Sequence, residues 1–452
     1  MNPPNTLSPT DLVLCILCLL LSPLAAAGLA LIQQGLGRSR SAAHTMLATL
    51  CVLGISAIVF VLVGSAWTGF QGGDSQSFHA LGAQWDWLGR EALFAQSLHF
   101  ESLGNNPAQL HAALETCLHM FAVGLAAMIP LSAGTDRWRL APICMATALY
   151  SAFTYPFFAH WVWAGGWLSR LDANFGGAAQ IAPFFDAGGA SLIHVVGGLM
   201  ALSVAWILRP RRGKYTEDAM ATAIPGHNIV LVLFGCIVAL VGWIALDSAA
   251  SMLFYGVPAA QIVGVIINAA LSAGAGCLAA FLTTQIRYRK PDASLSANGW
   301  IAGLVAGSAA CAFVSPLAAI FTGAVAGVLT AYMVEMFELH LLVDDPGGAI
   351  SVHAGAGLWG LFAVGIFGRH LASTAGTPVN AGIGAHLLAQ CVGIATLLGL
   401  MLPFIHICNL FLDHFLPYRV DRDGDWQGMD IRELGAGAYP EFVIHADEFI
   451  PR

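Results

Sequence analysis

Long apolar segments, separated by short polar ones, occupy most of the chain. A helix needs about 20 apolar residues to cross the hydrocarbon core of a bilayer, and this length predicts eleven membrane-spanning helices. Only Ser315-Pro316 separates the eighth from the ninth, and the last helix is long enough to bend at Pro403. We expect an all-α membrane domain over residues 1–415 and a polar tail over residues 416–452. The predicted spans are residues 11–36, 44–69, 111–132, 140–161, 187–208, 227–247, 260–285, 298–314, 317–335, 350–368 and 382–415.

The distribution of basic residues predicts which side of the membrane each loop faces. All but Arg90, Arg170 and Arg369 of the 18 Lys and Arg residues fall on one side of the predicted topology. Cytoplasmic loops carry an excess of Lys and Arg. We therefore expect the N-terminus outside and the tail in the cytoplasm, in a multi-pass protein of the plasma or inner membrane. The basic side consists of loops 37–43, 133–139, 209–226 and 286–297 and the tail.

The composition agrees with this class. Hydrophobic residues make up 57% of the chain and charged residues 10%, whereas soluble domains carry about 25% charged residues. The basic residues form no cluster beyond residues 209–214, so we expect no nucleic-acid partner. The ten cysteines form no C-x-x-C pair and lie mostly in apolar runs, which predicts buried thiols rather than a disulfide framework.

Segments outside the central spans leave some questions open. The apolar run at residues 12–21 could belong to a signal peptide, but no basic residue precedes it and the apolar pattern continues to Leu36, which favours an uncleaved first span. The polar loop 70–110, with Trp85 and Trp87, is either an extracellular cap or an interfacial anchor. The tail is too short for a soluble enzymatic domain, and we expect no enzymatic activity.

An internal duplication singles out two histidines. The pattern D-x-G-G-A-x-x-x-H-x-x-x-G-L-x-x-L begins at Asp186 and again at Asp345, 159 residues later, and places His194 and His353 on the fifth and tenth spans. These spans are five crossings apart, an odd number, so the two halves are inverted relative to each other. Each histidine follows its aspartate by eight residues, or about 12 Å of helix, which brings both rings into the middle of the bilayer. The aspartates lie where they can accept N–H groups at the start of each helix.

Three interpretations of the paired histidines compete. A buried histidine can simply hydrogen-bond to a neighbouring helix. A metal site would need further ligands nearby, but no H-x-x-E or H-x-x-x-H pattern occurs on these spans, so we expect no metal and no cofactor. Alternatively, two neutral imidazoles line a narrow path for a small polar solute, because each ring can donate, accept and shuttle a proton. Two rings at symmetric positions favour the path.

Four stretches of the chain resemble the ammonium transporter/Rh (Amt/Rh) family, and its Amt branch in particular. The resemblance as a whole covers the chain from residue 11 to about residue 440, and the two histidine stretches resemble the twin-histidine signatures of that family. The stretches are Gly28-Leu-Ala-Leu with Gly35-Leu-Gly-Arg, Tyr155-Pro with Ala159-His-Trp-Val-Trp163-Ala-Gly-Gly, Asp186 to His194, and Val343-Asp-Asp-Pro to His353-Ala-Gly.

The resemblance implies a fold and a function. The fold is a bundle of two inverted five-helix halves, here about residues 11–208 and 227–368, with a long last helix and usually three subunits, each with its own pore. The function is transport of ammonium, recruited at an outer vestibule and passed as ammonia, with a separate or coupled proton, along the paired histidines.

The resemblance also implies roles for single residues. Trp163 matches the vestibule tryptophan, whose ring attracts a cation. Alternatively, Trp163 is a tryptophan of the membrane interface, although Trp161 and Trp167 are better candidates for that position. Asp186 matches the aspartate that holds the vestibule backbone, and Phe121 matches the outer phenylalanine of the gate or is a core residue.

Other positions depart from the family pattern. The family stretch G-W-F-G-F-N-A-G-S reads here Gly242-Trp-Ile-Ala-Leu-Asp-Ser-Ala-Ala. Leu246 therefore replaces the second gate phenylalanine, Asp247 the asparagine, and Ala250 the vestibule serine. Asp247 adds a carboxyl group that either attracts cations or is protonated when desolvated. The usual Phe-Tyr pair of the first span is Ile32-Gln33.

The tail resembles the family tail that docks on the pore and contacts a PII-type signal protein, but Gly428-Met-Asp430 is followed by neither the histidine nor the glutamate of that motif. Docking of the tail is expected, whereas control by PII is in doubt.

Three functions compete. They are an ammonium transporter, an ammonium sensor that does not conduct, and a gas channel of the Rh type. Trp163 favours the Amt branch over the gas channel.

Overall fold

The computed structural model describes residues 7–80, 82–175, 181–368 and 382–439. Within these residues, nine helices are long and apolar enough to cross a membrane. Two further helices, α4 and α8, occupy the remaining predicted positions; α8 has only 16 residues, and α4 carries a polar π-helical turn in its middle. Nine spans are thus found in the described part of the chain, and eleven crossings remain a prediction.

The long helices follow one another in chain order around a short hairpin. They are α1 (Pro9–Leu36), α2 (Ser39–Thr68), α3 (Pro107–Gly134), α4 (Leu140–Leu149, continued by Tyr150–Thr154 and Tyr155–Val162), α5 (Ala190–Leu208), α6 (Ile229–Tyr255), α7 (Ala259–Tyr288), α8 (Ala293–Ser308), α9 (Pro316–His340), α10 (Ile350–Phe367) and α11 (Ile383–Phe415). Between α2 and α3, strands β1 (Ser75–Ala80) and β2 (Ala83–Gly89) form an antiparallel hairpin. Shorter helices lie at Leu93–Ala95, Phe100–Ser102, Trp167–Arg170, Leu171–Asn174, Arg422–Gln427 and Asp430–Leu434.

Local capping and proline chemistry account for the boundaries that hydropathy misplaces. Helix α8 begins before the predicted residue 298 because the Asp292 side chain accepts a 2.9 Å hydrogen bond from Leu295 N–H. The break at Ser315-Pro316 is as predicted, since Ser315 caps α9 and Pro316 is its first residue. In α11 the backbone is π-helical over Leu397–Met401, directly before Pro403, because proline cannot donate the next helical hydrogen bond.

Packing pairs recur at equivalent positions in the two predicted halves. Helix α2 packs on α3 and α4, as α7 packs on α8 and α9; α3 packs on α5, as α8 packs on α10. The first helices of the halves, α1 and α6, pack on each other, and α11 covers α5 and α10. The two predicted halves therefore share these packing pairs.

Glycines allow α1 and α6 to approach each other closely. A Cβ atom added at Gly28 would lie 2.3 Å from Ala239 N, and one added at Gly242 would lie 1.8 Å from Ala25 N. Such distances leave no space for a side chain, so these glycines let the two backbones meet directly.

The loop between α2 and α3 is an ordered cap on one end of the bundle, which we name the hairpin end. The indole ring of Trp85 lies 5.3 Å from that of Trp167, and Trp87 lies 4.8 Å from Trp161. Trp161 also donates a 2.8 Å hydrogen bond to Trp87 O. Trp161 and Trp167 are both buried. The expectation that they sit in a lipid-facing belt is therefore wrong, because the hairpin covers them.

At the opposite end, which we name the tail end, buried ion pairs join loops distant in sequence. Arg211 bonds to Asp344 at 2.9 Å and to Asp136 at 3.1 Å, and Arg137 donates to Asp344 O at 2.8 Å. Burial alone would raise the pKa of the Asp344 carboxyl, but Arg137 and Arg211 hold it below its usual range. Arg137 and Arg211 are thus paired with buried carboxyl and carbonyl groups and join the helix ends.

The tail docks on this end of the bundle. The buried carboxyl of Asp430 accepts hydrogen bonds from Ala43 N at 3.1 Å and His44 N at 2.8 Å, two donors at the start of the α-helical part of α2. These donors have no partner within the helix. Gly428 (φ 98°) lies against Arg40, where a Cβ atom would come within 2.4 Å of the Arg40 carbonyl oxygen. A residue of the tail therefore completes a helix of the bundle.

Gly242→Ala should destabilise the protein, because its added methyl group would overlap Ala25 N. Overpacking of this kind costs about 1–3 kcal/mol or more. Gly54→Ala is the matched control, since Gly54 also lies in a helix but has nothing within 4 Å of its added Cβ. Thermal unfolding in detergent should show a lower Tm for Gly242→Ala alone. Equal Tm values for the two variants would contradict the close packing of α1 on α6.

Asp430→Ala should release the tail, since two N–H groups at the start of α2 would lose their acceptor. Loss of such a cap costs about 1 kcal/mol, enough to raise the undocked fraction several-fold. Limited trypsin digestion at the exposed Arg432 should accelerate accordingly. Asp423→Ala, an exposed acid of the same tail, is the control and should be cleaved at the original rate. Unchanged cleavage of Asp430→Ala would show that this carboxyl does not hold the tail.

Candidate functional site

The structure brings the two histidines of the duplicated pattern together in the centre of the bundle. Their ring centroids lie 5.4 Å apart, with 27° between the ring planes. His194 is carried by the π-helical turn Ala190–Val195 and His353 by the π-helical turn Ile350–Gly355, and both side chains are buried. The two copies of the pattern thus meet at a single site.

Each aspartate of the pattern holds the turn that leads to its histidine. Asp186 uses both carboxylate oxygens: Oδ1 accepts from Gly189 N and Ala190 N at 3.0 and 2.8 Å, and Oδ2 accepts from Ser191 N at 2.7 Å and from Ser191 Oγ. At Asp345, Oδ2 accepts from Ile350 N at 2.7 Å, and Oδ1 has no partner in the described part of the chain. Each carboxylate therefore orients the first turn of the helix on which a histidine lies.

Glycines of the pattern complete these turns and the contact between the two copies. Gly189 and Gly348 have φ of 86° and 71°, a left-handed conformation that favours glycine. At Gly198 an added Cβ would lie 2.4 Å from Ala354 N, and at the equivalent Gly357 it would lie 2.6 Å from Val195 Cγ2. Each copy therefore presents a glycine to the histidine-bearing turn of the other.

The histidine rings are short of hydrogen-bond partners. Among the described residues, neither ring nitrogen of His194 nor Nδ1 of His353 has one. An unsatisfied buried polar group costs about 1–3 kcal/mol. Trp243 stacks on His194 at 4.6 Å with 12° between the planes, and its Nε1–H donates to Ser308 Oγ instead. The arrangement leaves polar atoms free for a small solute that can donate or accept hydrogen bonds.

A cavity of about 200 Å³ lies at the hairpin end, and aromatic side chains form much of its wall. Trp163, Phe254 and Tyr255 line it together with Gln71. Trp163 stacks on Phe254 at 4.4 Å, and its Nε1–H donates a 2.8 Å hydrogen bond to the carbonyl oxygen of Asp186. Asp186 therefore joins the wall of the hairpin-end cavity to the turn that carries His194.

The structure does not place Phe121 in this aromatic group. Phe121 is half-buried, and it makes no ring contact among the described aromatic side chains. His119 occupies the place instead, with its ring 5.5 Å from both Trp163 and Phe254. Two residues correspond to about 200° around a helix, and Phe121 is not among the side chains that line the cavity. Leu246 is buried in the core of the bundle. The ring that stacks on Trp163 belongs instead to Phe254, two turns farther along α6.

Asp247 lies deeper than a role in recruitment at the cavity would require. It is 1% exposed and is not among the side chains that line the cavity. Its Oδ2 accepts a 3.1 Å hydrogen bond from Ser308 Oγ, and its Oδ1 faces Gly188, where an added Cβ would lie 2.4 Å away. The carboxyl therefore packs behind the Asp186 turn and connects through Ser308 to Trp243. Its placement at the substrate entrance is wrong for this structure.

Sequence reasoning missed His119, Phe254 and Trp243 as residues of the site. His119 follows His111 and Glu115 at intervals of four residues on α3, a spacing that puts all three on one helix face. This spacing is a signal in the sequence that these three side chains lie together. Phe254 lies beyond the predicted end of its span at residue 247, and nothing in the sequence pattern around Trp243 indicates that its ring stacks on His194.

Comparison with known proteins identifies the family. The profile of the Ammonium Transporter Family matches residues 13–439. The chain is 30% identical to Ammonium transporter Amt2 of Archaeoglobus fulgidus, with 97% of this chain and 90% of the relative aligned. It is 27% identical to the ammonium transporter of Bacillus subtilis, with 95% and 98% aligned. The chain belongs to the ammonium transporter family, and it is a multi-pass membrane protein.

Solved structures agree with this assignment. A structure titled Sensor Amt Protein matches with a TM-score of 0.81 and 26% identity, covering 93% of this chain and 97% of the other. Candida albicans Mep2 matches with a TM-score of 0.74 and 21% identity, covering 92% and 88%, which shows a shared fold. The relatives are described as transporters, which points away from an enzyme.

Asp186→Asn should destabilise the protein more than Asp345→Asn. Both oxygens of Asp186 accept hydrogen bonds, so an amide group would face an N–H donor whichever way it turns. Asp345 has one oxygen without a partner in the described chain, and an amide nitrogen fits there. We expect a loss of about 1–3 kcal/mol for Asp186→Asn and a smaller one for Asp345→Asn, measured as Tm in detergent. A reversed order would show that these hydrogen bonds do not hold the turns.

Proposed function

We propose that the protein transports ammonium. The cation enters the hairpin-end cavity, gives up a proton, and crosses as ammonia between His194 and His353. The observation that carries this proposal is the pair of stacked imidazoles where the two copies of the duplicated pattern meet, since three of their four nitrogens have no partner among the described residues. A small molecule with one lone pair and three N–H donors can hydrogen-bond to such nitrogens as it passes.

The aromatic wall of the cavity supports recruitment of a cation. One face of Trp163 is stacked on Phe254, and an indole attracts a cation by roughly 0.5–2 kcal/mol. Asp186 supports the cavity from behind through its carbonyl oxygen and adds negative charge without facing the cavity itself. Leu246, where the family has phenylalanine, leaves an aliphatic side chain near the entry to the histidines, which favours a less selective gate.

The distribution of charge and the matching packing pairs support a proposed orientation in the membrane and a proposed division into two halves. The buried Arg and Lys side chains of the tail end support a cytoplasmic tail, an outward hairpin and an N-terminus outside, in the plasma or inner membrane. The equivalent packing pairs support two inverted halves, residues 11–208 and 227–368, within a membrane domain over residues 1–415. We propose a homotrimer, as the family resemblance implies. We assign no PII-type partner to the docked tail, because the family histidine and glutamate are missing there.

A sensor is the second candidate, and two observations favour it. The structure titled Sensor Amt Protein resembles this chain over 97% of its own length. In addition, stacked rings close the path at two levels, Trp163 on Phe254 and Trp243 on His194. A sensor would bind ammonium in the hairpin-end cavity and signal through the docked tail without conducting.

Uptake of radiolabelled methylammonium into proteoliposomes tests the transporter against the sensor. We expect uptake by the unmodified protein and a reduction of at least tenfold in His194→Ala and His353→Ala, because each removes a polar partner from the narrowest part of the path. His386→Ala, at a half-buried histidine of α11, is the control and should transport normally.

Ammonium binding, followed by calorimetry on the same samples, separates the outcomes. Binding without any uptake by the correctly inserted protein would reject transport and support the sensor. Full uptake by both histidine variants would leave transport standing but reject the path between the two rings.

A further inference from the structure

We infer that Asp247 is a neutral carboxylic acid that donates a hydrogen bond to Ser308 and, through Ser308, fixes the Trp243 indole on the ring of His194. Asp247 is therefore a positioning residue, because it acts on the histidine pair through other side chains. Its protonation state follows from contacts within the bundle and stands without the transport proposal. Its effect on uptake rests on the proposed transport of ammonium.

The Ser308 hydroxyl is the centre of a buried chain of hydrogen bonds. Its oxygen lies 2.9 Å from Trp243 Nε1, 3.0 Å from the carbonyl oxygen of Leu304 and 3.1 Å from Asp247 Oδ2. A hydroxyl group has one hydrogen to donate and two lone pairs that accept. The indole N–H can only donate and the carbonyl oxygen can only accept, so the third contact depends on the state of Asp247.

A neutral acid satisfies all three contacts. Ser308 then donates to Leu304 O, four residues earlier on the same helix, as serine side chains in helices can do. Its two lone pairs accept from Trp243 Nε1–H and from the O–H of Asp247. With an ionised Asp247, the single hydroxyl hydrogen would have to serve either the carboxylate or Leu304 O. One of the two oxygen–oxygen contacts would then lack a hydrogen between its atoms.

The other buried acids show which partners a carboxylate has in this protein. Each binds a basic side chain or backbone N–H groups; Asp186 accepts from three backbone N–H groups, and Asp344 binds Arg211. Asp247 has neither kind of partner, and its Oδ1 has none at all in the described part of the chain. Burial of an unpaired charge costs far more than burial of a neutral polar group, which favours the acid. The acids compared are Asp86, Glu115, Asp136, Asp186, Asp344, Asp425 and Asp430.

The surroundings of Asp247 also disfavour a negative charge. Its Oδ1 lies against the backbone of Gly188, where an added Cβ would be 2.4 Å away. On the other side of this turn, the Asp186 carboxylate accepts from Gly189 N. Asp186 and the Cys311 thiol are the titratable groups that act on Asp247, and neither can be positive. A second carboxylate would be repelled by Asp186, so the like charge adds to the preference for the neutral acid.

The chain of hydrogen bonds ends at His194. Ser308 holds the Nε1 edge of the Trp243 indole, and the face of the same ring stacks on His194 at 4.6 Å with 12° between the planes. Neither ring nitrogen of His194 has a partner among the described residues, so ring packing rather than hydrogen bonding orients it. Without the O–H of Asp247, we expect Ser308 and Trp243 to become less constrained and the His194 nitrogens to lose their fixed direction.

Infrared spectroscopy on the purified protein tests the protonation state directly. A protonated carboxyl group has a C=O stretch above the amide I band, and this stretch moves to lower frequency in D2O. At neutral pH an exposed aspartate is ionised. We therefore expect a carboxylic acid band in the unmodified protein and its loss in Asp247→Asn, whose amide has nearly the shape of the neutral acid. A difference spectrum of these two proteins without such a band would overturn the inference.

Uptake of methylammonium into proteoliposomes tests the positioning role. Asp247→Asn is uncharged and keeps an N–H that can donate to Ser308, so this conservative variant should transport like the unmodified protein. Asp247→Ala removes the donor, and we expect its maximal rate to fall about two- to tenfold, which corresponds to one hydrogen bond of about 0.5–1.5 kcal/mol. The half-saturating concentration should not change, because Asp247 is not among the residues that line the hairpin-end cavity.

A double-mutant cycle shows whether Asp247 acts through Ser308. Effects within one hydrogen-bond chain are not additive, so the variant with both Asp247→Ala and Ser308→Ala should be no slower than Ser308→Ala alone. Ser248→Ala is the matched control, since Ser248 follows Asp247 on α6 and is also buried, and it should transport like the unmodified protein. Additive losses in the double variant would reject the connection through Ser308.

The outcomes separate this inference from the transport proposal. If the unmodified protein takes up methylammonium but Asp247→Asn is as slow as Asp247→Ala, transport stands and the neutral acid is rejected. If folded Asp247→Ala transports at the full rate, the positioning role is rejected. If the unmodified protein takes up no methylammonium, the transport proposal and the positioning role are both rejected, whereas the infrared band still decides the protonation state.

Discussion

The structure depends on the burial of two imidazole rings that the protein itself leaves short of hydrogen bonds. At least three of their four nitrogens have no partner among the described residues, and each such atom opposes folding by about 1–3 kcal/mol. The rest of the bundle has to outweigh this opposition. Close backbone contacts at glycines and carboxylates that bind the N–H groups of helix starts provide this stabilisation. The buried histidine pair is therefore held in place by favourable contacts around it.

Because the pattern is duplicated, two similar histidine-bearing turns form one shared site. Each copy contains a carboxylate that binds N–H groups, a glycine with positive φ, a π-helical turn and a histidine. Gly198 and Gly357 then bring the turn of each copy against the other. The carboxylates differ in one respect: Asp186 has both oxygens occupied, and its carbonyl oxygen also holds Trp163. The Asp186 copy therefore has the more complete set of hydrogen bonds, and it is the copy connected to the hairpin-end cavity.

The sequence predicted the helices and the meeting of the histidines because each depends on a repeating pattern. Apolar length places the spans, and identical spacing in the two halves places His194 and His353 at matching depths. The position of Phe121 is not fixed by apolar length, because a shift of two residues turns a side chain to another face of the helix. Phe254 was missed because α6 continues to Tyr255, and Asp247 was misplaced because its partner Ser308 lies on a helix 61 residues away. Contacts of this kind depend on how helices pack, which hydropathy does not encode.

The two ring stacks, Trp163 on Phe254 and Trp243 on His194, are compatible with both transport and sensing. Aromatic pairs such as Trp163 with Phe254 contribute about 0.5–1.5 kcal/mol beyond their burial, so opening one stack is an event of low energy that thermal motion supplies. A closed stack is therefore compatible with rapid passage of a small solute. The stronger constraint is charge, because a cation that leaves the cavity for the buried imidazole pair would lose its hydration, whereas ammonia carries no charge to desolvate. In the proposed transport, the fate of the proton thus determines what this bundle can conduct.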